Sequence, residues 1–406
     1  MDPIIAEWGS LLLRWVHVVT AIAWIGSSFY FMHLDASLKA IPEIRPGKGG
    51  ACWEVHGGGF YEVRKYLEAP AHLPSEMIWH KWQSYSTWIS GFFLLVWIYY
   101  AGASTHLVDP QVMDLSRPAA AAIGLGGLAL GWLVYDGLCR SPLVKHEVWL
   151  AVVVFAFIVL MAYLFQQVFS GRGALLHTGA MMATMMSGNV FLNIIPNQRK
   201  TIAALLAGGE ANPDYGKQAK ARSTHNNYLT LPVVFLMLSN HYPLTYSSPF
   251  AFVIVALILV AGAVIRHFYN VSHAGKGQPW WCWAVAAICI LWAAWISMAA
   301  SPAGRERLGL APLGEVRHAS GTPRAPAAVA DIVIGRCSMC HANQPVWDGI
   351  GVAPKGVVLD SPEAIERQRE AIRLYAVLSH AMPPQNVTGM TADERRVVAE
   401  WSGPRP

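Results

Sequence analysis

Eight largely apolar stretches occupy the first 300 residues, roughly 10–34, 83–101, 119–138, 147–169, 174–196, 224–242, 249–271 and 280–299. Each is close to the 20 residues a helix needs to cross a bilayer core. Lipid offers no partner for backbone N–H and C=O groups, so such runs must satisfy themselves as helices. The expected fold is all-α: a polytopic bundle of about eight transmembrane helices over 1–300, with the lipid bilayer as its first partner. Only 14% of the residues are charged, against about 25% in soluble domains. The shortage is uneven: the first 300 residues hold 32 of the 55 charged side chains and 15 of the 17 tryptophans. Beyond them the charge density is ordinary. Residues 301–325 therefore read as a Ser/Pro/Gly/Ala linker, and 326–406 as a small soluble domain. The first span is too long for a cleaved signal peptide, and its Met1-Asp2-Pro3 flank is not basic. A net charge of +5 without a basic, aromatic-interleaved run gives no case for nucleic acid.

Lys and Arg in the connecting segments set the expected orientation. Loops 1–2, 3–4, 5–6 and 7–8 together carry fifteen of them, including Lys39, Lys65, Arg140, Lys220, Arg222 and Arg266. The opposite loops carry Arg117 and Arg172. Both termini should then face the periplasm, in the inner membrane of a bacterium.

Cys337-Ser338-Met339-Cys340-His341 is a C-x-x-C-H motif, the attachment site of a c-type haem. Two thiols one helical turn apart can bond both vinyl groups of one porphyrin, and the next residue presents an imidazole to the iron. A zinc site would need a second Cys/His pair, and a thioredoxin-like pair a βαβ context; the sequence has neither. The expected cofactor is one covalent haem c held by Cys337, Cys340, His341 and Met382, with His341 and Met382 as iron ligands. Met382 lies in His380-Ala381-Met382-Pro383-Pro384, where prolines can stiffen a ligand loop; His380 and Met390 are its rivals. Met/His ligation raises the potential, as an electron acceptor requires. A helix at about 326–337, a loop methionine and a capping box at Thr391-x-x-Glu394 that opens a helix to Trp401 resemble a class I cytochrome c. A carbonyl near Pro345 is the expected partner of the other His341 nitrogen. Disulfides among Cys52, Cys139, Cys282 and Cys289 are not expected.

In the membrane part the signals are weaker. Arg14, His17, Ala21, Trp24 and Ser28 fall on one face of the first helix, about 80° wide at 100° per residue. His177 and His241 lie towards the same end and could ligate a b-type haem. At the other end stand Trp79-His80-Lys81-Trp82 and a hairpin expected around Gly57-Gly58-Gly59. Gly127-x3-Gly131 and Met181, Met182, Met185 and Met186 read as packing. Asn189, Asn193, Asn226 and Asn227 could bond between helices or read a polar substrate.

Trp15-Val16-His17 with Ala21-Ile22-Ala23-Trp24-Ile25-Gly26-Ser27-Ser28-Phe29-Tyr30-Phe31, then Val55-His56-Gly57-Gly58-Gly59-Phe60-Tyr61 and Trp79-His80-Lys81-Trp82, resemble the bacterial membrane-bound urate hydroxylases of the PuuD type. The resemblance covers essentially the whole chain. It implies oxidation of urate to 5-hydroxyisourate in purine catabolism. Electrons would leave through the cytochrome to a soluble cytochrome c or a terminal oxidase, without peroxide. It brings no catalytic residues with it. From the residues alone, Arg14, His17 and Trp24 at one end, or His80 and Lys81 at the other, could supply the cation, aromatic face and base that an anionic, planar substrate needs. Two other classes remain open: a quinol-to-cytochrome c electron-transfer subunit without urate chemistry, and a transporter with a cytochrome sensor. A haem–copper oxidase would need more spans and a His-His pair.

Overall fold

The computed structural model describes residues 3–67, 74, 76–109, 112–300, 305, 308–310, 323–347, 350, 352–378 and 381–403. Most of the 301–325 linker and His380 lie outside them. The bundle runs α1 (Pro3–Ser37), a hairpin of β1 (Gly49–His56) and β2 (Gly59–Tyr66), α2 (Trp82–Leu95, extended by a π turn at Val96–Tyr100) and the short α3 (Ala103–His106). It continues through α4 (Arg117–Arg140), α5 (Glu147–Gln166), α6 (Gly171–Gly188, passing through a π turn at Asn189–Ile194 into α7, Ile195–Leu206) and α8 (Pro213–Ser239). The short α9 (Pro243–Tyr246), α10 (Ala251–His273) and α11 (Trp281–Ala299) complete it.

Five helices are long and apolar enough to cross a membrane: Trp8–Ser37, Arg117–Arg140, Glu147–Gln166, Ala251–His273 and Trp281–Ala299. Helices also fill the other three apolar stretches, but two of these pass into π turns, and α8 is polar along its first half. Trp8, Leu11, Leu12, Trp15, Val19 and Ile22 all point outward from α1. Such a continuous apolar exterior suits lipid rather than water.

Small residues set the helix spacing. A Cβ at Gly127 would stand 2.6 Å from the Phe165 ring, and one at Gly131 would overlap Met181. The four expected packing methionines are all buried there. Pro232 interrupts the hydrogen bonding inside α8, and Gly262 of α10 makes room for its ring.

The hairpin forms where expected. Gly57 (φ 58°) and Gly58 (φ 78°) take the left-handed conformations that a two-residue hairpin turn requires. It is tied to the bundle through Tyr30, whose hydroxyl donates to Glu54 (2.6 Å), and through Asp35, which pairs with both Lys65 (2.5 Å) and Lys220 (2.6 Å).

The C-terminal residues form a separate helical unit with its own core, built on Val329, Val333, Ile365, Met390 and Val398. Its helices are α12 (Ala327–Cys337), α13 (Pro362–Arg367), α14 (Arg369–Ile372) and α15 (Ala392–Ser402). The capping box at Thr391 and Glu394 is present. Arg336 clamps α12 to α15 through both Glu394 oxygens (3.0 and 3.2 Å). The unit rests on α3 and α9, at the end of the bundle opposite the hairpin, and Arg117 pairs with Glu370 across the junction.

Candidate functional site

Two chemically distinct places emerge, one in the C-terminal unit and one inside the bundle. The first lies at the end of α12. The amides of Cys340 and His341 both fold back onto the Cys337 carbonyl (3.2 and 2.9 Å), so the two thiols and the imidazole share one turn. His341 Nδ1 donates to the Val357 carbonyl at 2.9 Å. A carbonyl can only accept, so the proton is fixed on Nδ1 and the Nε2 lone pair is left for a metal. The carbonyl thus comes from Val357 rather than from the neighbourhood of Pro345. Burial also lowers the His341 pKa and keeps the ring neutral. Burial, with Cys340 beside it, pushes the Cys337 thiol up to about 11, and burial raises Cys340 as well. A dithiol redox pair works through a lowered thiol pKa, so the shift runs against that chemistry.

Met382 is half-buried on a loop fixed at both ends of its own residue: its amide donates to the Tyr375 carbonyl (2.8 Å), and Arg395 donates to its carbonyl (3.0 Å). The same Arg395 lies within electrostatic reach of Cys337. Met390, only 3% exposed, is spent in the core, and reciprocal 3.0 Å bonds with the Asn386 side chain hold it there. Two thiols, a neutral imidazole with a free nitrogen and an available thioether are the donor set that a c-type haem requires.

The second place sits between α1, α8 and α10. Arg266 is 6% exposed, and its guanidinium lies 4.0 Å from the Phe29 ring centroid. The Asn227 amide bridges Arg266 (3.4 Å) and Asn270 (3.0 Å). Among the described residues no carboxylate pairs with Arg266. One turn away, Trp24, Ile25, Ser28, Met186, Asn226 and Thr230 line a cavity of ≈ 10 Å³, about the room of a single water. His273 is within electrostatic reach of Arg266 and meets His33 edge-on at 4.4 Å.

Behind the cavity a second buried arginine is fully compensated. Arg222 pairs with Asp136 (2.6 Å) and donates to Asn189 (3.0 Å). The Asn189 amide nitrogen in turn donates to both Tyr135 and Asn226 (2.8 Å each), and Tyr135 meets His225 Nδ1 at 2.9 Å. Asn193 completes the set on Asp136 (3.3 Å). Satisfied networks of this kind fix helix positions, and Asn189 opens the π turn, a feature frequent at functional sites.

The face of α1 singled out in the sequence is divided. Trp24 lines the inner cavity, while His17 turns onto α2, with Nδ1 donating to the Thr87 carbonyl (3.0 Å) and Gly91 making room for its ring. Arg14 is exposed and near the C-terminal unit, where its charge is felt at Lys355. His80 is exposed and packs on Phe31 (4.8 Å), and Lys81 lies 5.9 Å from the Trp82 ring. None of these contacts joins them to the Arg266 cluster. His177 has both nitrogens engaged: Nδ1 donates to the Gly173 carbonyl (2.8 Å) and Nε2 faces the Tyr100 hydroxyl (3.2 Å). His241 lies exposed beyond the end of α8.

Sequence reasoning missed Arg266. It counted the residue among loop charges, although the residue falls inside an apolar stretch. An ionisable group within a span is a functional candidate by default, and Asn270, four residues on, shares its face. That signal was available.

No curated protein and no solved structure was found to match the chain. The family model described as urate oxidase N-terminal matches residues 3–297, all but the last two residues of the helical bundle and close to three quarters of the sequence. The chain therefore belongs to the urate oxidase N-terminal family.

Proposed function

We propose that this protein is a urate hydroxylase whose bundle oxidises urate to 5-hydroxyisourate and whose C-terminal unit is a class I cytochrome c that carries the electrons away. The observation that carries the reading is Arg266, a buried cation with no counter-ion among the described residues, in a bundle of the urate oxidase N-terminal family. Urate is a planar monoanion at neutral pH. Arg266 matches its charge, Phe29 its face, and the Asn227 and Asn270 amides its alternating N–H and C=O edge. Urate monoanion and one water give 5-hydroxyisourate, two electrons and one proton. His273, beside His33, is placed to take that proton as general base. The cavity is far smaller than urate, so Trp24 and Met186 must give way; an unbranched methionine does so readily.

Cys337 and Cys340 would hold the haem covalently, and His341 and Met382 would bind its iron. A haem held there would accept electrons one at a time at a potential raised by the methionine. Phe29 and Arg14 lie fifteen residues apart on α1, about 22 Å along the helix, so the electrons cross much of the bundle. Rings of Phe165, Phe169, His177, Tyr99 and His106 cluster at the end of the bundle beside the C-terminal unit, with neighbouring centroids 4.7–6.3 Å apart. The charge bias of the loops supports an inner-membrane protein of about eight spans with both termini in the periplasm, where a soluble cytochrome c or a terminal oxidase can collect the electrons.

The electron count tests the reading. Under air, with soluble cytochrome c as acceptor, two cytochromes should be reduced per urate consumed, with no hydrogen peroxide. One peroxide per urate and no cytochrome reduction would place the oxidation outside this route.

A further inference from the structure

At the junction between bundle and C-terminal unit, three cations approach one another: Arg172 at the start of α6, Lys355 in the Pro354–Gly356 turn, and Arg14 on α1. No ion pair among the described residues involves any of them. Arg172 stands 5.7 Å from the Tyr99 ring, and its Nη1 lies 3.3 Å from His106 Nδ1. Its Nε is buried with no acceptor among the described residues, and so are the hydroxyl protons of Tyr99 and Tyr246, which are 4% and 5% exposed; the Tyr99 oxygen lies within hydrogen-bonding reach of Arg172 and can only accept from it. They face a common region: Tyr246 feels the charge of Arg172, and a Cβ at Gly356, next to Lys355, would lie 3.8 Å from the Tyr246 hydroxyl.

Buried N–H and O–H groups without acceptors are costly, and clustered like charges add to the cost. Burial and the charges of Arg172 and Arg14 lower the Lys355 pKa, as a missing counter-charge would. One anion removes both costs. The donors are few and closely packed, which favours a compact, planar two-oxygen group that a guanidinium fork and phenol hydroxyls can share.

We infer that Arg172, Tyr99, Tyr246 and Lys355 form a carboxylate-binding site that joins the C-terminal unit to the bundle. The carboxylate has two sources. One is a propionate of the haem on Cys337 and Cys340, since His341 lies within electrostatic reach of Lys355; this source rests on the proposed haem. The other is a free carboxylate from solution, which does not.

The test uses the purified full-length protein carrying its native cofactor. Tyr246→Phe should lower the melting temperature by a few degrees, because it removes a bond to the anion. An idle hydroxyl would give the opposite sign, since phenylalanine then relieves an unsatisfied buried group, and a rise or no change overturns the site. If the carboxylate is the haem's, Arg172→Gln lowers the haem midpoint potential while acetate leaves the wild-type melting temperature unchanged. If it is free, acetate raises that temperature in a concentration-dependent way that Arg172→Gln abolishes. Stabilisation by phosphate or urate but not acetate overturns the carboxylate assignment. A haem that urate fails to reduce would refute the urate reading and leave this site standing.

Discussion

Arg266→Gln should lower kcat/KM for urate by about two orders of magnitude while the visible spectrum of the C-terminal unit stays as in the wild type. A charge-assisted hydrogen bond is worth about 1.5–3 kcal/mol, and each 1.4 kcal/mol is about tenfold. A desolvated guanidinium that meets an anion lies at the upper end of that range. The fold should survive, because among the described residues no carboxylate pairs with Arg266 to be stranded by its removal. Arg222, locked to Asp136, is the contrasting case. Arg266→Lys keeps the charge but not the planar fork, so its kcat/KM should fall between the two. Steady-state kinetics with soluble cytochrome c as acceptor, alongside near-ultraviolet circular dichroism, measure both effects. Wild-type kinetics in a folded Arg266→Gln protein would show that urate binds elsewhere.

The double variant Cys337→Ala/Cys340→Ala should lose all haem stain on a denaturing gel, where the wild type gives a band near 44 kDa. Only thioether bonds survive denaturation, and these two are the thiols that share a turn with a metal-ready imidazole. The other four cysteines are buried in the bundle or its hairpin. Electron delivery to soluble cytochrome c should vanish as well. A stained band retained by the double variant would refute the assignment outright.

The fold was largely legible because burial in lipid imposes strong patterns. Apolar length marked the long helices of the bundle, but not α3, α7, α9 or the polar first half of α8. Alternation around Gly57 and Gly58 marked the hairpin, and Thr391 and Glu394 marked the last helix. The C-x-x-C-H motif was legible for a similar reason: two thiols and an imidazole at a fixed spacing stand out in the sequence itself. The bundle site was not. Its members, Phe29, Asn227, Arg266 and Asn270, come from three helices, and each taken singly reads as packing, a helix–helix hydrogen bond or a flanking charge. The neighbours of the α1 face were not legible for a related reason. Helical periodicity gives direction around an axis but not which neighbour stands there, and α2, α8 and the C-terminal unit divide that face among them.

The most direct measurement of the whole account is made without oxygen. In the proposed reaction water supplies the new oxygen atom of 5-hydroxyisourate, so urate alone should reduce the haem. Purified, haem-loaded protein kept anaerobic should develop the sharp α-band of a reduced c-type cytochrome on addition of urate, and none with xanthine or buffer. An α-band that stays absent with urate but develops with a quinol would contradict the account, and would make the chain a quinol-to-cytochrome electron-transfer protein.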